Sequence, residues 1–387
     1  MDFEFTKEQN MLQKSIREFI RKEYPPERAR EDDENENFPD DLYRKMAELG
    51  WMALPFPEKY GGFDGSAVDE CIISEELGRI SCAFGLTYFL SVCFGGKSLE
   101  KLGNEEQKQY YLRKLCEGEF KFALALTEPD GGTDILGTLK TEAVEDGDNY
   151  IINGNKTFIT GAHVADYLIV VTRTTLDESK RANGLTLFIV DVKSPGIDIQ
   201  MIKKMGIKST GSCEIFFNNV TVPKKNILGK KDHGWYGITE TLNNERVTLA
   251  AITTGMAQGC LDQSVRYSKD RMAFGKPIGG FQTIQHYMAE MSTDLDAARL
   301  LTYRAAWLQE KGKPSVSESA KAKMFASETA LSCATKGMRI FGGAGYTMEF
   351  DMQRFYRDAI LFIFAPISNE MCKNVIGEAE LKLPRSF

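Results

Sequence analysis

The spacing of apolar residues changes twice along this 387-residue chain, and those two changes limit the fold more than any other feature. From Phe5 to about residue 120 apolar positions recur at helical intervals: Met11, Leu12, Ile16, Phe19 and Ile20, then Leu42, Met46 and Leu49, then Ile72, Ile73, Leu77 and Ile80. That is the stripe of a helix with one buried face. Between about 121 and 230 the texture becomes short β-branched and aromatic runs, TFIT, YLIVVTRT, GLTLFIVDV, IDIQMI and CEIFFNNVTV, divided by turns such as NGNK and SPG. Closely spaced strands without helices between them predict an antiparallel sandwich or barrel. From 235 to 381 long helical patterns return, broken at 275–280, 312–314 and 342–345, which predicts a helical bundle. The expected class is thus α+β multidomain: a helical part over 1–120, a β part over 121–232 and a helical bundle over 233–387.

A chain that is 42% hydrophobic and carries 24 Phe can fill a large core. Its formal charge of −7 comes from interleaved acids and bases, so it offers no broad positive field to a nucleic acid. The opening MDFEFTKEQNMLQKSIREFI is amphipathic and acidic rather than basic then apolar, and no eighteen uncharged apolar residues run together. No membrane span and a cytoplasmic location are expected. Eight cysteines without a C-x-x-C pair, beside only three histidines, predict buried thiols and no metal site. The acidic run EDDENEN at 31–37 reads as a solvated loop.

Nucleophile elbow, Walker loop, H-E-x-x-H and G-x-G-x-x-G patterns are all absent. Three other runs can carry chemistry. LALTEPDGGTD (124–134) couples a strand to Thr127, Thr133 and paired glycines, placing hydroxyls and bare backbone against a flat polar ring; a strand ending in a Pro-Gly turn looks the same. RMAFGKPIGGFQ (271–282) groups a phosphate-neutralising cation, Arg271, with Phe274, able to stack on a ring; the alternative is an interhelical turn. RIFGGAGY (339–346) ends a helix in glycines, either a C-cap or a close approach to a pyrophosphate.

These runs, with FITG (158–161) and RDA (357–359) in the same register, resemble the acyl-CoA dehydrogenase family over essentially the whole chain. The resemblance implies an N-terminal helical domain, a middle β-domain and a C-terminal four-helix bundle, assembled as a homotetramer, with FAD as cofactor, an acyl-CoA substrate and an electron-transfer flavoprotein as redox partner. It further implies that Leu126, Thr127, Gly132 and Thr133 lie along the flavin and thioester, with Phe158 and Thr160 covering the isoalloxazine. Arg271, Phe274 and Gln282 match positions that reach the ADP part of FAD from a neighbouring subunit, and Arg339, Gly342 and Gly343 match the pyrophosphate segment. Ser368 and Glu370 fall where a C-terminal loop touches the cofactor, while Asn243, Arg246, Thr133 and Ser91 fall near the acyl-CoA.

Desaturation of a thioester needs a carboxylate to take the α-proton while hydride leaves the β-carbon. In much of the family that base is a Glu in the loop after RDA, where this chain has Pro366, which can neither accept a proton nor donate a backbone N–H. Another lineage, which includes isovaleryl-CoA dehydrogenase, places the base on a helix at a motif similar to LNNERVTLA, and Glu245 falls on that position. A Glu followed by Arg in a helix is also an ordinary solvated or ion-paired face. The implied function is α,β-desaturation of a short, branched or alicyclic acyl-CoA. The alternatives are an enoyl-CoA reductase, a remote-position dehydrogenase of a cyclic unsaturated carboxyl-CoA, and, from another class, a flavin- or CoA-binding scaffold whose base has decayed.

Overall fold

The computed structural model describes residues 4–177 and 179–385. Helix α1 (Lys7–Glu23) starts at a reciprocal cap: the Thr6 hydroxyl accepts the Gln9 N–H at 3.2 Å and the Gln9 side chain accepts the Thr6 N–H at 3.1 Å. Helices α2 (Pro26–Glu34), α3 (Asp40–Glu48) and α4 (Ala67–Ile80) follow. Helix α5 (Cys82–Phe89) continues through a π-helical turn, Leu90–Gly96, into Lys97–Leu102. That whole run is apolar and long enough to span a bilayer, yet 89% of its most apolar stretch is buried inside the fold. All eight cysteines are free and buried, as expected.

The acidic run departs from the solvated loop expected of it. Residues 31–34 complete α2, and Asp32 and Asp33 are buried. One partner comes from distant sequence and one is local: Arg357 donates to Asp33 at 2.6 Å, and Arg28, one turn earlier on α2, lies 3.8 Å from Asp32.

The middle region forms one sheet from β1 (Phe122–Ala125), β2 (Glu142–Asp146), β3 (Asn149–Thr160), β4 (Tyr167–Arg173), β5 (Leu185–Asp191), β6 (Ile197–Met201), β7 (Ser212–Pro223) and β8 (Ile227–Leu228). The order is β6-β7-β3-β2-β4-β5-β8, with β1 also on β4. Most pairs are antiparallel, but β1 and β2 both run parallel to β4 and the sheet does not close into a barrel. Alternation marks a strand and its faces but not its direction, so this mixture was not readable from periodicity. Along β4 and β5 alternate side chains enter different cores. Ile169, Val171, Leu187 and Ile189 pack with the N-terminal helices, whereas Leu168, Val170, Phe188 and Val190 fill the inner β core.

The C-terminal part is built on α6 (Gly234–Asp270), α7 (Gln282–Glu310) and α8 (Val316–Phe341), closed by α9 (Met352–Ala359), α10 (Leu361–Phe364) and α11 (Asn369–Ala379). Its 37 residues make α6 roughly 55 Å long, the axis of the molecule. Helices α4 and α6 cross backbone to backbone: a Cβ at Gly78 would overlap the Ile252 carbonyl, and one at Gly255 the Glu75 carbonyl. That contact fixes Glu70 of α4 beside the middle of α6.

Candidate active site

Glu245 sits on α6 with only 4% of its surface exposed. Its carboxylate has no hydrogen bond or salt-bridge partner among the described residues. The adjacent Arg246 does not pair with it but donates to Asn243 Oδ1 at 3.1 Å, so the solvated Glu-Arg pair is not what forms. Burial pushes the Glu245 carboxyl from its usual 4.5 up to about 7, against the opposing charges of Arg246 and Lys323. A carboxyl that shares its proton near neutrality, in a dry setting and with no donor to quench it, suits acceptance of a proton from carbon.

A second buried carboxylate, Glu70 of α4, 1% exposed, is held against the same helix, α6. It accepts from the Thr248 hydroxyl at 2.7 Å, from Asn244 Nδ2 at 3.3 Å and from the Cys93 thiol at 3.4 Å. Asn244 Oδ1 and the Tyr88 hydroxyl are buried without partners nearby in this polar pocket. Tyr88 and Phe89 are core residues, and Phe89 meets Phe94 edge-on at 5.0 Å. Ser91 is buried too, its Oγ accepting the Phe122 N–H of β1 at 3.4 Å.

The 90–96 turn joins this pocket to the sheet. Gly95 packs against the Phe122 ring and Gly161 against Leu90. Beyond β1, Leu126 and Thr127 are half-buried and firmly held. The Leu126 carbonyl accepts from Lys156 Nζ at 3.0 Å, and the Thr127 carbonyl from the Thr157 N–H at 2.9 Å. Lys156 also donates at 2.8 Å to Glu128, whose carboxylate takes the N–H groups of Lys140 (2.6 Å) and Thr141 (2.9 Å). Phe158 stands on a bulge in β3, between Lys156 and Ile159, with φ at +58° and 67% of its surface exposed. A phenylalanine held at positive φ costs of order 1–3 kcal/mol, strain that accumulates where a ring must be presented. Thr160 is half-buried beside it, and Gly132 and Thr133 are exposed on the facing turn.

The remaining expected cofactor residues lie elsewhere. Phe274, 97% exposed with φ at +52°, occupies the hairpin between α6 and α7 with Arg271 and Gln282, both exposed. Arg339, Gly342 and Gly343 are exposed at the end of α8, and a Cβ on either glycine would meet open space. The two groups share one end of the bundle, tied by Tyr267 stacked on Phe341 at 4.1 Å. Arg271 follows Glu245 by 26 residues on α6 or at its end, roughly 39 Å along the axis at 1.5 Å per residue.

At the C-terminal turn Ser368 caps α11, its Oγ accepting the Met371 N–H at 3.2 Å, and Glu370 is exposed 3.5 Å from Lys373. Pro366 is exposed. The residue types at the sheet suit a planar ring: a presented aromatic, flanking hydroxyls and open glycine backbone. Those at the bundle end suit a pyrophosphate and purine: two guanidinium groups, a bare aromatic and backbone that nothing crowds. Sequence reasoning missed Glu70, Glu128, Lys156 and Lys323. The lysine inside the apolar alternation of β3 was the one readable signal among them.

Known proteins resemble the chain over nearly its whole length. Family models described as the acyl-CoA dehydrogenase N-terminal, middle and C-terminal domains match residues 6–119, 123–220 and 232–381. A probable acyl-CoA dehydrogenase of Bacillus subtilis, YngJ, is 38% identical, covering 99% of this chain and 100% of its own. An acryloyl-CoA reductase (NADH) of Anaerotignum propionicum is 36% identical, covering 99% and 96%. The structure of butyryl-CoA dehydrogenase from Megasphaera elsdenii superimposes with a TM-score of 0.94 at 35% identity, covering 98% of this chain and all of that one.

Proposed function

The chain belongs to the acyl-CoA dehydrogenase family, and we propose that it α,β-desaturates a short, branched or alicyclic acyl-CoA with Glu245 as the base. The observation that carries this reading is the buried, unpaired Glu245 carboxyl, raised to about 7. Asn243 and Arg246, bonded to each other beside it, would meet the acyl-CoA. Phe89 and Phe94 favour a short or compact acyl group by filling space next to Cys93.

FAD, the family's cofactor, supplies the acceptor for the hydride that leaves the β-carbon. Leu126, Thr127, Gly132, Thr133, Phe158 and Thr160 would hold its ring system at the sheet, with Ser368 and Glu370 at the C-terminal turn. Arg271, Phe274, Gln282, Arg339, Gly342 and Gly343 would hold the dinucleotide's other half in a neighbouring copy, because roughly 39 Å separates them from this chain's own base. That division supports a homo-oligomer, read as a tetramer, and the reduced enzyme would pass electrons to an electron-transfer flavoprotein. Lys156 and Glu128 keep the 126–128 segment fixed, so the ring meets a surface that does not relax.

The test is anaerobic titration of the oxidised enzyme with saturated and unsaturated CoA esters of short, branched and alicyclic acids. Bleaching of the flavin absorbance by a saturated ester is the expected result. If only an unsaturated ester reoxidises the reduced enzyme, the direction is that of a reductase, a second reading favoured by the likeness to an acryloyl-CoA reductase. If neither set changes the flavin, the scaffold reading takes its place.

A further inference from the structure

We propose that Lys323 is a positioning residue for this reaction: it straps the turn between α10 and α11 to the bundle and sets an ammonium without an ion-pair partner on the helix packed against that of Glu245. The inference rests on the reading of Glu245 as the base. Lys323 lies on α8 with 1% of its surface exposed. Its ammonium donates to the Phe362 carbonyl at 2.8 Å, the Ile367 carbonyl at 2.6 Å and Asn369 Oδ1 at 2.8 Å, which uses its three N–H groups. Phe362 precedes Pro366 and the other two follow it, so one side chain grips the turn on both sides. Asn369 is itself fully buried, accepting from the Ser327 hydroxyl at 3.2 Å and donating to Glu328 at 2.9 Å.

The charge is the informative part. All three acceptors are neutral oxygens, and no carboxylate lies within salt-bridge distance of Lys323 among the described residues. Burying an ammonium that way costs several kcal/mol, and a methionine would pack as well. Helix α6, packed against α8, carries the complementary oddity: Glu245, a buried carboxylate with no cation in contact. Burial pulls the Lys323 ammonium down from its usual 10.5 to about 8, so it is still charged at neutral pH, and that charge favours the ionised Glu245. Other charged or titratable groups facing Lys323 are Glu328, Glu370, Cys372 and Arg246, and of these Arg246 also faces Glu245. Lys323 would therefore do two separable things, holding the 362–369 turn to α8 and favouring the ionised form of the base.

Two holoenzyme variants separate them. Lys323→Met removes strap and charge, whereas Asn369→Ala weakens the strap and leaves the charge. Hydrogen–deuterium exchange of residues 362–369 is expected to quicken about tenfold or more in both. The pH profile of flavin reduction by a saturated CoA ester is expected to rise through a limb near pH 7 in the parent. That limb should move up by about one unit in Lys323→Met and stay put in Asn369→Ala. Unchanged exchange in both variants overturns the strap, and an unmoved limb in Lys323→Met overturns the electrostatic role. Should Lys323→Met fail to fold, Asn369→Ala still decides the strap by exchange, and lack of a faster rate there overturns it. Glu245→Gln is measured alongside. A limb that survives it contradicts the reading of Glu245 itself, and the exchange data then still decide the strap.

Discussion

Glu245 and Glu128 are equally hidden, 4% and 5% exposed, yet their surroundings drive them in opposite directions. Around Glu128 the protein has assembled an ammonium and two backbone N–H groups, which together outweigh burial and hold its carboxyl below 4.5. Around Glu245 it has assembled none, and burial raises the carboxyl to about 7. Depth alone does not make a buried acid reactive; withheld donors do. The first is a fastener under the 126–128 segment, and the second is held ready for a proton.

The contrast can be broken most severely at the fastener. Glu128→Ala strips Lys156, already pulled down to about 8 by burial, of its counter-charge in the core, and a loss of about 3–5 kcal/mol in urea unfolding is expected. Pairing it with Lys156→Met should restore most of that loss, because no buried charge is then left over. If the single and double variants lose the same stability, the charge is not what matters there.

A smaller effect sharpens the comparison through the sign of pH dependence. Glu245 binds its proton more tightly folded than unfolded, so as pH rises from about 4.5 through about 7 it lowers stability. Glu245→Gln should therefore match the parent near pH 4 and exceed it at pH 8 by up to about 3 kcal/mol in denaturant titrations. Glu128 has the reverse sign: its contribution is present above 4.5 and fades as pH falls through its lowered folded value. A Glu245→Gln variant with no pH-dependent gain would mean the parent carboxyl is hydrated or paired.

Much of this was legible in the sequence, and what was not follows a pattern. The two changes of periodicity delimit helices, strands and bundle because faces repeat at 3.6 and 2.0 residues. Parallel placement of β1 on β4 was not legible, since alternation is blind to strand direction. Glu245 falls on a readable motif, but its isolation depends on Arg246 turning to Asn243, a choice local sequence does not fix. Glu128 and Lys156 stand 28 residues apart and meet only because β3 brings them together. Likewise Asp33 reads as solvated until Arg357, 324 residues away, is folded against it. Burial of charge is decided by such long-range partners, so it is the last thing a sequence reveals.

The most direct measurement is the stopped-flow rate of flavin reduction in Glu245→Gln, with whichever saturated CoA ester the parent oxidises and with ester binding measured in parallel. A fall of about 10²–10⁴-fold with binding retained is the predicted result. A rate within about twofold of the parent would contradict the assignment of the base.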